Sequence, residues 1–98
     1  MNKKLYVLVR KDLPKSQQAV QGGHAVAEFL LRGPVTFWNN GTLVYLGVRD
    51  KHDLESWGGR LNDCGHDVIA FREPDRDNEI TAIAVCGAEK ELKNLRLL

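Results

Sequence analysis

The chain has 98 residues, of which 43% are hydrophobic and 28% charged, and its net charge is +1. These values are those of an ordinary globule with one domain, residues 1–98, and the net charge argues neither for nor against a nucleic-acid partner. The sequence excludes a membrane-spanning apolar run and a signal peptide ahead of the first strand, so we expect a cytoplasmic protein.

The first predicted elements are a buried strand and a long helix. The continuous apolar run Leu5–Val9 is typical of a strand that is buried on both faces. After a polar turn, a helix is expected from Ser16, as the N-cap, to Arg32, before Gly33. Small and apolar residues recur at helical spacing and give this helix an apolar face: Ala19, Val20, Gly23, Val26, Ala27, Leu30 and Leu31.

Strands and helices continue to alternate along the rest of the chain. Strands are predicted over 42–48, 68–72 and 80–86, and a charged connection, 73–79, joins the last two. A second helix is capped by Asp50, with Asp53 completing a weak capping box, and a short helix over 88–97 follows the last strand. This order predicts a three-layer α/β/α sandwich whose mixed four-stranded sheet is mostly parallel, with one antiparallel strand.

The glycine pair inside the first helix is the most unusual local feature. Gly22 and Gly23 each cost about 1 kcal/mol relative to alanine in a helix, so bare backbone is expected to serve a purpose there. Close packing on the sheet and close approach of a ligand are both open explanations. Gln21 and His24 are three residues apart and therefore share one helical face beside the pair.

Ligands of small α/β sheets collect at the carboxyl ends of the strands, where three groups of residues are expected to converge. Lys11, Lys15 and Ser16 lie around the start of the first helix, whose N–H groups and dipole favour anions. The loop that begins at Glu73 and the pair Gln21 and His24 are the other two groups. For each of the three groups, the alternative is that its side chains are ordinary solvated residues that bind no ligand. Phe37 and Trp38 are suited to stacking on a base or to covering a core edge.

Metal and cofactor chemistry have no signature in the sequence. Cys64 and Cys86 have no partner at metal-ligand spacing, and the three histidines are too scattered to suggest a zinc site. The phosphate-loop and dinucleotide glycine motifs are also missing. We therefore expect neither a metal nor a cofactor.

The helix segment 15–25, Lys-Ser-Gln-Gln-Ala-Val-Gln-Gly-Gly-His-Ala, resembles the type II peptidyl-tRNA hydrolases. That family has a strand, a turn ending in Asp-Leu, a lysine-rich loop and a helix with Ala-x-Gln-x-x-His-Ala. The similarity continues through 54–65 and 68–84. It implies a metal-free esterase that cleaves peptide from the 3′ end of tRNA. Matching positions imply catalytic roles for Lys15, His24, Glu73 and Thr81. They imply substrate binding by the following residues: Lys11, Ser16, Gln21, Arg72 and Arg76.

The chain departs from the family pattern in its loops. Ser16 stands at the loop glycine, Gln17 at the second lysine, and Glu73 at an acidic residue of the later loop. A non-catalytic RNA- or nucleotide-binding protein on the same fold is therefore the alternative function, and a protein-binding module is a third. The expected partner is peptidyl-tRNA without a membrane, and the sequence leaves a monomer and a homodimer open.

Overall fold

The computed structural model describes residues 3–33 and 38–98. Its strands are β1 (Lys4–Arg10), β2 (Thr42–Val48), β3 (Ile69–Glu73) and β4 (Glu79–Cys86). Its helices are α1 (Lys15–Arg32), α2 (Lys51–Asp63) and α3 (Glu89–Leu92), with a 3-10 turn at Pro74–Arg76. The predicted order of strands and helices is confirmed, although α3 is much shorter than expected. In the described ranges, no helix has the length and apolar character needed to cross a membrane.

The four strands form one mixed sheet in the order β2-β1-β4-β3. β1 is parallel to β2, whereas β4 is antiparallel to both of its neighbours, β1 and β3. The expected mostly parallel pairing is therefore wrong, since only one of the three pairs is parallel. The physical reason is that the reversed strand lies inside the sheet, where it contributes two antiparallel pairs instead of one.

Alternate residues of β1 belong to two separate hydrophobic cores. Leu5, Val7 and Val9 pack in the core that contains Ala25 and Phe29 of α1. The residues between them, Tyr6 and Leu8, pack in the core that contains Leu54 and Leu61 of α2. The unbroken apolar run of the sequence thus has its explanation in a central strand buried on both faces.

The start and the buried face of α1 differ from the prediction. The helix begins at Lys15 with Pro14 at the N-cap, so Ser16 lies inside the first turn and does not cap it. The residues that α1 buries are Gln21, Gly22, Ala25 and Phe29. Most of the predicted apolar face points outward, with Val20, Leu30 and Leu31 exposed at 48%, 64% and 79%. Periodicity identified an apolar stripe but assigned it to the wrong side of the helix.

α2 is capped as the sequence predicted. The Asp50 side chain accepts a hydrogen bond of 2.9 Å from the backbone N–H of Asp53. The Asp53 carboxylate reaches back one residue further than a capping box requires, to the backbone N–H of Arg49 at 2.9 Å. Both bonds satisfy N–H groups at the helix start.

The last residues of the chain pair with the outer edge of β2. The backbone N–H of Gly47 donates to the carbonyl of Arg96, and that of Leu98 donates to the carbonyl of Tyr45, both at 3.0 Å. Leu46 and Leu97 form an antiparallel bridge between these bonds. The final segment was predicted as helix, but its backbone instead covers part of a sheet edge.

The two glycines of α1 have different environments. A Cβ at Gly22 would lie 2.4 Å from Cε2 of Tyr45, whereas one at Gly23 would meet nothing within 4 Å. Close packing therefore explains Gly22 and leaves Gly23 without a packing reason.

Alanine substitutions are expected to separate these two positions. Gly22→Ala must displace the Tyr45 ring and should lower the free energy of unfolding by about 1–2 kcal/mol. Gly23→Ala should raise it by about 0.5–1 kcal/mol, because alanine is the better helix former. Urea unfolding of both variants measures the difference, and equal effects at the two positions would contradict this assignment.

Candidate functional site

The candidate site lies at the edge of the sheet where β1 and β3 end and β4 begins. β1 ends at Arg10 and β3 at Glu73, while the antiparallel β4 starts at Glu79. α1 follows β1 after a short turn, so its N-terminus lies at the same edge. This placement agrees with the expected convergence of the turn, the helix and the charged connection.

Gln21 is the buried centre of the site. It is 1% exposed, and its Nε2 donates a hydrogen bond of 2.7 Å to Oε1 of Glu73. Its Oε1 accepts a hydrogen bond of 2.6 Å from the hydroxyl of Thr81, which is fully buried. Because the hydroxyl donates to one end of the amide and the carboxylate accepts from the other, the amide orientation is fixed. α1, β3 and β4 are thus joined by one chain of side-chain bonds.

An irregularity in β4 aims Thr81 at Gln21. Phe71 pairs with Ala82 and Arg72 with Ile80, so Thr81 has no partner residue on β3. Ile80 packs in the core that contains α2 and Ala82 in the core that contains α1, although residues two apart in a regular strand share a face. The extra residue of this bulge allows Thr81 to face α1. Its polar side chain, within the otherwise apolar run 80–86, was the signal in the sequence.

The Glu73 carboxylate is held ionised by its neighbours. The Gln21 amide, first of all, lowers the pKa of Glu73, and the backbone N–H of Asp75 and the charge of Arg76 act in the same direction. Oε2 accepts from that N–H at 3.4 Å, so Glu73 also caps the turn Pro74–Arg76. The side chain is half-buried, and one oxygen lies toward α1. The carboxylate can accept a hydrogen bond from a bound water, but its lowered pKa makes it a weaker base than a free glutamate.

His24 and Phe71 form an aromatic stack beside this carboxylate. Their ring centroids are 4.4 Å apart and the rings are nearly parallel, at 8°. Phe71 lies two residues before Glu73 on β3, and His24 lies one helical turn after Gln21 on α1. The stack places the imidazole at the exposed mouth of the site, consistent with the shared helical face that the sequence predicted for Gln21 and His24.

The cationic residues predicted for the site are all exposed. Lys15 and Ser16 are exposed in the first turn of α1, and Arg76 is exposed at the end of the 3-10 turn. Arg72 donates to the backbone carbonyl of Asn78 at 3.3 Å. The Lys11 side chain lies against the backbone of Gly47, where a Cβ would be 2.6 Å from its Cδ. Direct side-chain bonds therefore join Gln21, Glu73 and Thr81. Of the predicted cations, Arg76 acts on the Glu73 carboxylate, whereas Lys11 lies against β2, at the opposite edge of the sheet from β3.

Arg10 is a buried cation that the sequence did not single out. It is 5% exposed and forms two hydrogen bonds with Asp12, at 2.9 and 2.7 Å. It also donates to Glu79 at 2.9 Å and to the carbonyl of Ile80 at 3.1 Å. The guanidinium lowers the pKa of both carboxyls. Arg10 thereby joins the turn after β1 to the start of β4. In the sequence, the signal for this ion pair was the two-residue spacing of Arg10 and Asp12.

A groove of about 320 Å³ extends from the site along α1 and β3. It is lined by Glu28 and Arg32 of α1 and by the following residues at and after β3: Ala70, Phe71, Arg72 and Pro74. Phe71 belongs to both the groove and the aromatic stack. Arg72 and Pro74 flank Glu73 in the sequence, so the groove adjoins the carboxylate site.

The described residues contain no cluster of metal-ligating side chains. Neither Cys64 nor Cys86 forms a disulfide. Trp38 packs against the core that contains α1 and donates to the carbonyl of Thr42 at 2.8 Å, as expected of a residue that covers a core edge. Phe37, which was predicted to stack on a base or cover a core edge together with Trp38, lies outside the described residues.

No family model and no curated protein matches the chain. Among solved structures, it is similar to a protein of unknown function from Agrobacterium tumefaciens strain C58. The TM-score is 0.71 at 14% sequence identity, and the match covers 100% of this chain and 98% of that chain. At this identity the similarity shows a shared fold alone.

Proposed function

We propose that this protein hydrolyses the ester bond between peptide and tRNA in peptidyl-tRNA. The observation that carries the proposal is the buried Gln21, which binds Glu73 and Thr81 at the carboxyl edge of the sheet. All three residues stand at positions where the chain resembles type II peptidyl-tRNA hydrolases. The proposal includes that family's layered α/β/α arrangement and a place in the cytoplasm, where charged tRNA is used.

In the proposed reaction, Glu73 acts as the general base. It takes a proton from water while the water oxygen attacks the ester carbonyl carbon. When the tetrahedral intermediate collapses, the bond to the ribose oxygen breaks and Glu73 returns the proton to that oxygen. Free peptide and free tRNA result. Gln21 holds the carboxylate in position, and Thr81 in turn holds Gln21.

The start of α1 is the proposed site for tRNA phosphate. The first helical N–H groups and the dipole attract an anion, and Lys15 adds a full positive charge there. Arg76 ends the 3-10 turn that follows Glu73 and provides a second cation. His24, exposed beside Glu73, is positioned to contact the ribose or the attacking water.

The test is release of peptide from a short peptidyl-tRNA by the purified protein. Glu73→Gln keeps the shape of the side chain but removes the base, so we expect kcat to fall by about 100-fold or more. Lys15→Ala should act mainly on KM. Glu55→Gln and Lys93→Ala, at exposed positions outside the site, are matched controls. The absence of turnover by the folded, unmutated protein would overturn the enzyme proposal.

A non-catalytic RNA binder is the second candidate. The observation that favours it is the first turn of α1, where exposed Ser16 and Gln17 replace a glycine and a lysine of the family loop. Such a protein would bind tRNA with an affinity that falls steeply with salt, but it would release no peptide. The same assay, with a parallel tRNA-binding titration, distinguishes the two candidates.

A further inference from the structure

The groove between α1 and β3 adjoins an open sheet edge. β3 is the last strand of the sheet in the order β2-β1-β4-β3, so its outer side has no neighbouring strand within the described residues. Such an edge presents backbone N–H and C=O groups that can bond to another extended chain. Ala70 and Arg72, on this strand, are both exposed and line the groove.

We propose that this groove binds the peptide part of the substrate as an extended strand beside β3. This inference rests on the proposed function, because it assigns one end of the same substrate. Lys15 and the helix N-terminus lie at the start of α1, where tRNA phosphate is expected. The groove leads away from Glu73 in the opposite direction along α1, past Glu28 to Arg32. The tRNA part and the peptide part of the substrate thus have separate binding sites.

The lining of the groove suits a peptide. Ala70, Phe71 and Pro74 provide apolar contacts for side chains, while Arg72 and Arg32 can donate to peptide carbonyls. Arg32 is 77% exposed and its ion pair with Glu28, at 3.2 Å, is accessible to exchange. Backbone bonds to the strand edge are independent of side-chain identity. This property fits a substrate whose peptide varies in sequence.

The position of Glu73 fixes the direction of the bound peptide. The esterified carbonyl is the C-terminal group of the peptide and must lie at Glu73, where β3 ends. The peptide therefore runs parallel to β3, with its N-terminal residues toward Ile69. The five residues of β3 span about 17 Å, so about four or five peptide residues find contacts.

The first test varies peptide length in peptidyl-tRNA substrates. We expect kcat/KM to rise roughly tenfold from one residue to four and then to level off, because remote binding contributes to catalysis. Ala70→Trp should fill the groove and remove this gain with peptide length. Ala27→Trp, at an exposed alanine on the outward side of α1, is the matched control and should leave the gain intact. A rate independent of peptide length in an active enzyme overturns the proposal.

The second test needs no hydrolysis. An N-acetylated pentapeptide amide of alanine and valine should shift the backbone amide NMR signals of 69–73, and Ala70→Trp should abolish the shifts. If the peptide shifts them but no ester is cleaved, the groove assignment stands and the proposed enzyme function fails. If the trinucleotide CCA shifts these signals and the peptide does not, the groove holds RNA and the inference is overturned.

Discussion

Gln21→Leu should lower hydrolysis by about 100-fold, because the variant removes the donor that positions the proposed catalytic carboxylate. It should also lower the free energy of unfolding by about 2 kcal/mol, since the fully buried Thr81 hydroxyl loses its acceptor. Peptide release and urea unfolding measure the two effects. Gln21→Glu is the informative companion, since it would place a second carboxylate against Glu73.

A double-mutant cycle shows whether the Gln21–Thr81 bond is responsible. Thr81→Val removes the hydroxyl at nearly constant volume, so alone it leaves the Gln21 carbonyl without a buried donor. With Gln21→Leu in place, the same change should cost less, because no polar partner remains unsatisfied. If the double variant loses as much stability as the two single variants together, Gln21 and Thr81 are not directly coupled.

Arg10→Met should lower the free energy of unfolding by about 2–3 kcal/mol. The full cost of breaking a buried ion pair is reduced here because Asp12 and Glu79 are 40% and 35% exposed and can be rehydrated. The carbonyl of Ile80 also loses its hydrogen-bond donor. The stability of Arg10→Lys should fall between those of the unmutated protein and Arg10→Met. Lysine keeps the charge but lacks the planar guanidinium group that binds Asp12 twice.

Arg49→Met is the matched control for Arg10. Arg49 is 86% exposed and lies 3.6 Å from Asp53, so its loss should cost less than about 0.5 kcal/mol.

The pH dependence of stability gives a second test of the Arg10 ion pairs. Because the pKa values of Asp12 and Glu79 are lowered on folding, their stabilisation is present above about pH 5 and is lost as the pH falls through the lowered values. Arg10→Met should flatten this acid-side slope, and an unchanged slope would count against the assignment.

The elements were predictable because their apolar patterns are local. The run in β1 and the cap at Asp50 depend on neighbouring residues, and both are confirmed. The alternation of strands and helices did not predict the sheet pairing. It gives the order of the elements along the chain, but it does not show that β4 lies between β1 and β3 in the sheet. The face of α1 was wrong because a polar Gln21 is buried by partners that lie 52 and 60 residues away.

The residues of the candidate site were predicted from two kinds of signal, and their role stays a prediction. The pair Gln21 and His24 followed from helical spacing, and Glu73 and Thr81 followed from the family resemblance. Their direct connection required the bulge at Thr81, which no local pattern predicts. Arg10 was missed because a charged residue at the end of a strand normally lies in solvent, and its burial depends on Glu79 from the far end of the chain.

The strand order determines when the protein can fold during its synthesis. β1 is made first but occupies the middle of the sheet, and its antiparallel partner β4 ends only at Cys86. β1 can pair with β2 as soon as both strands are made, but its other edge stays unpaired until β4 has been made. Completion of the sheet and of the Gln21–Thr81 bond therefore waits for the last strand. Until then the open edge of β1 can pair with the wrong partner.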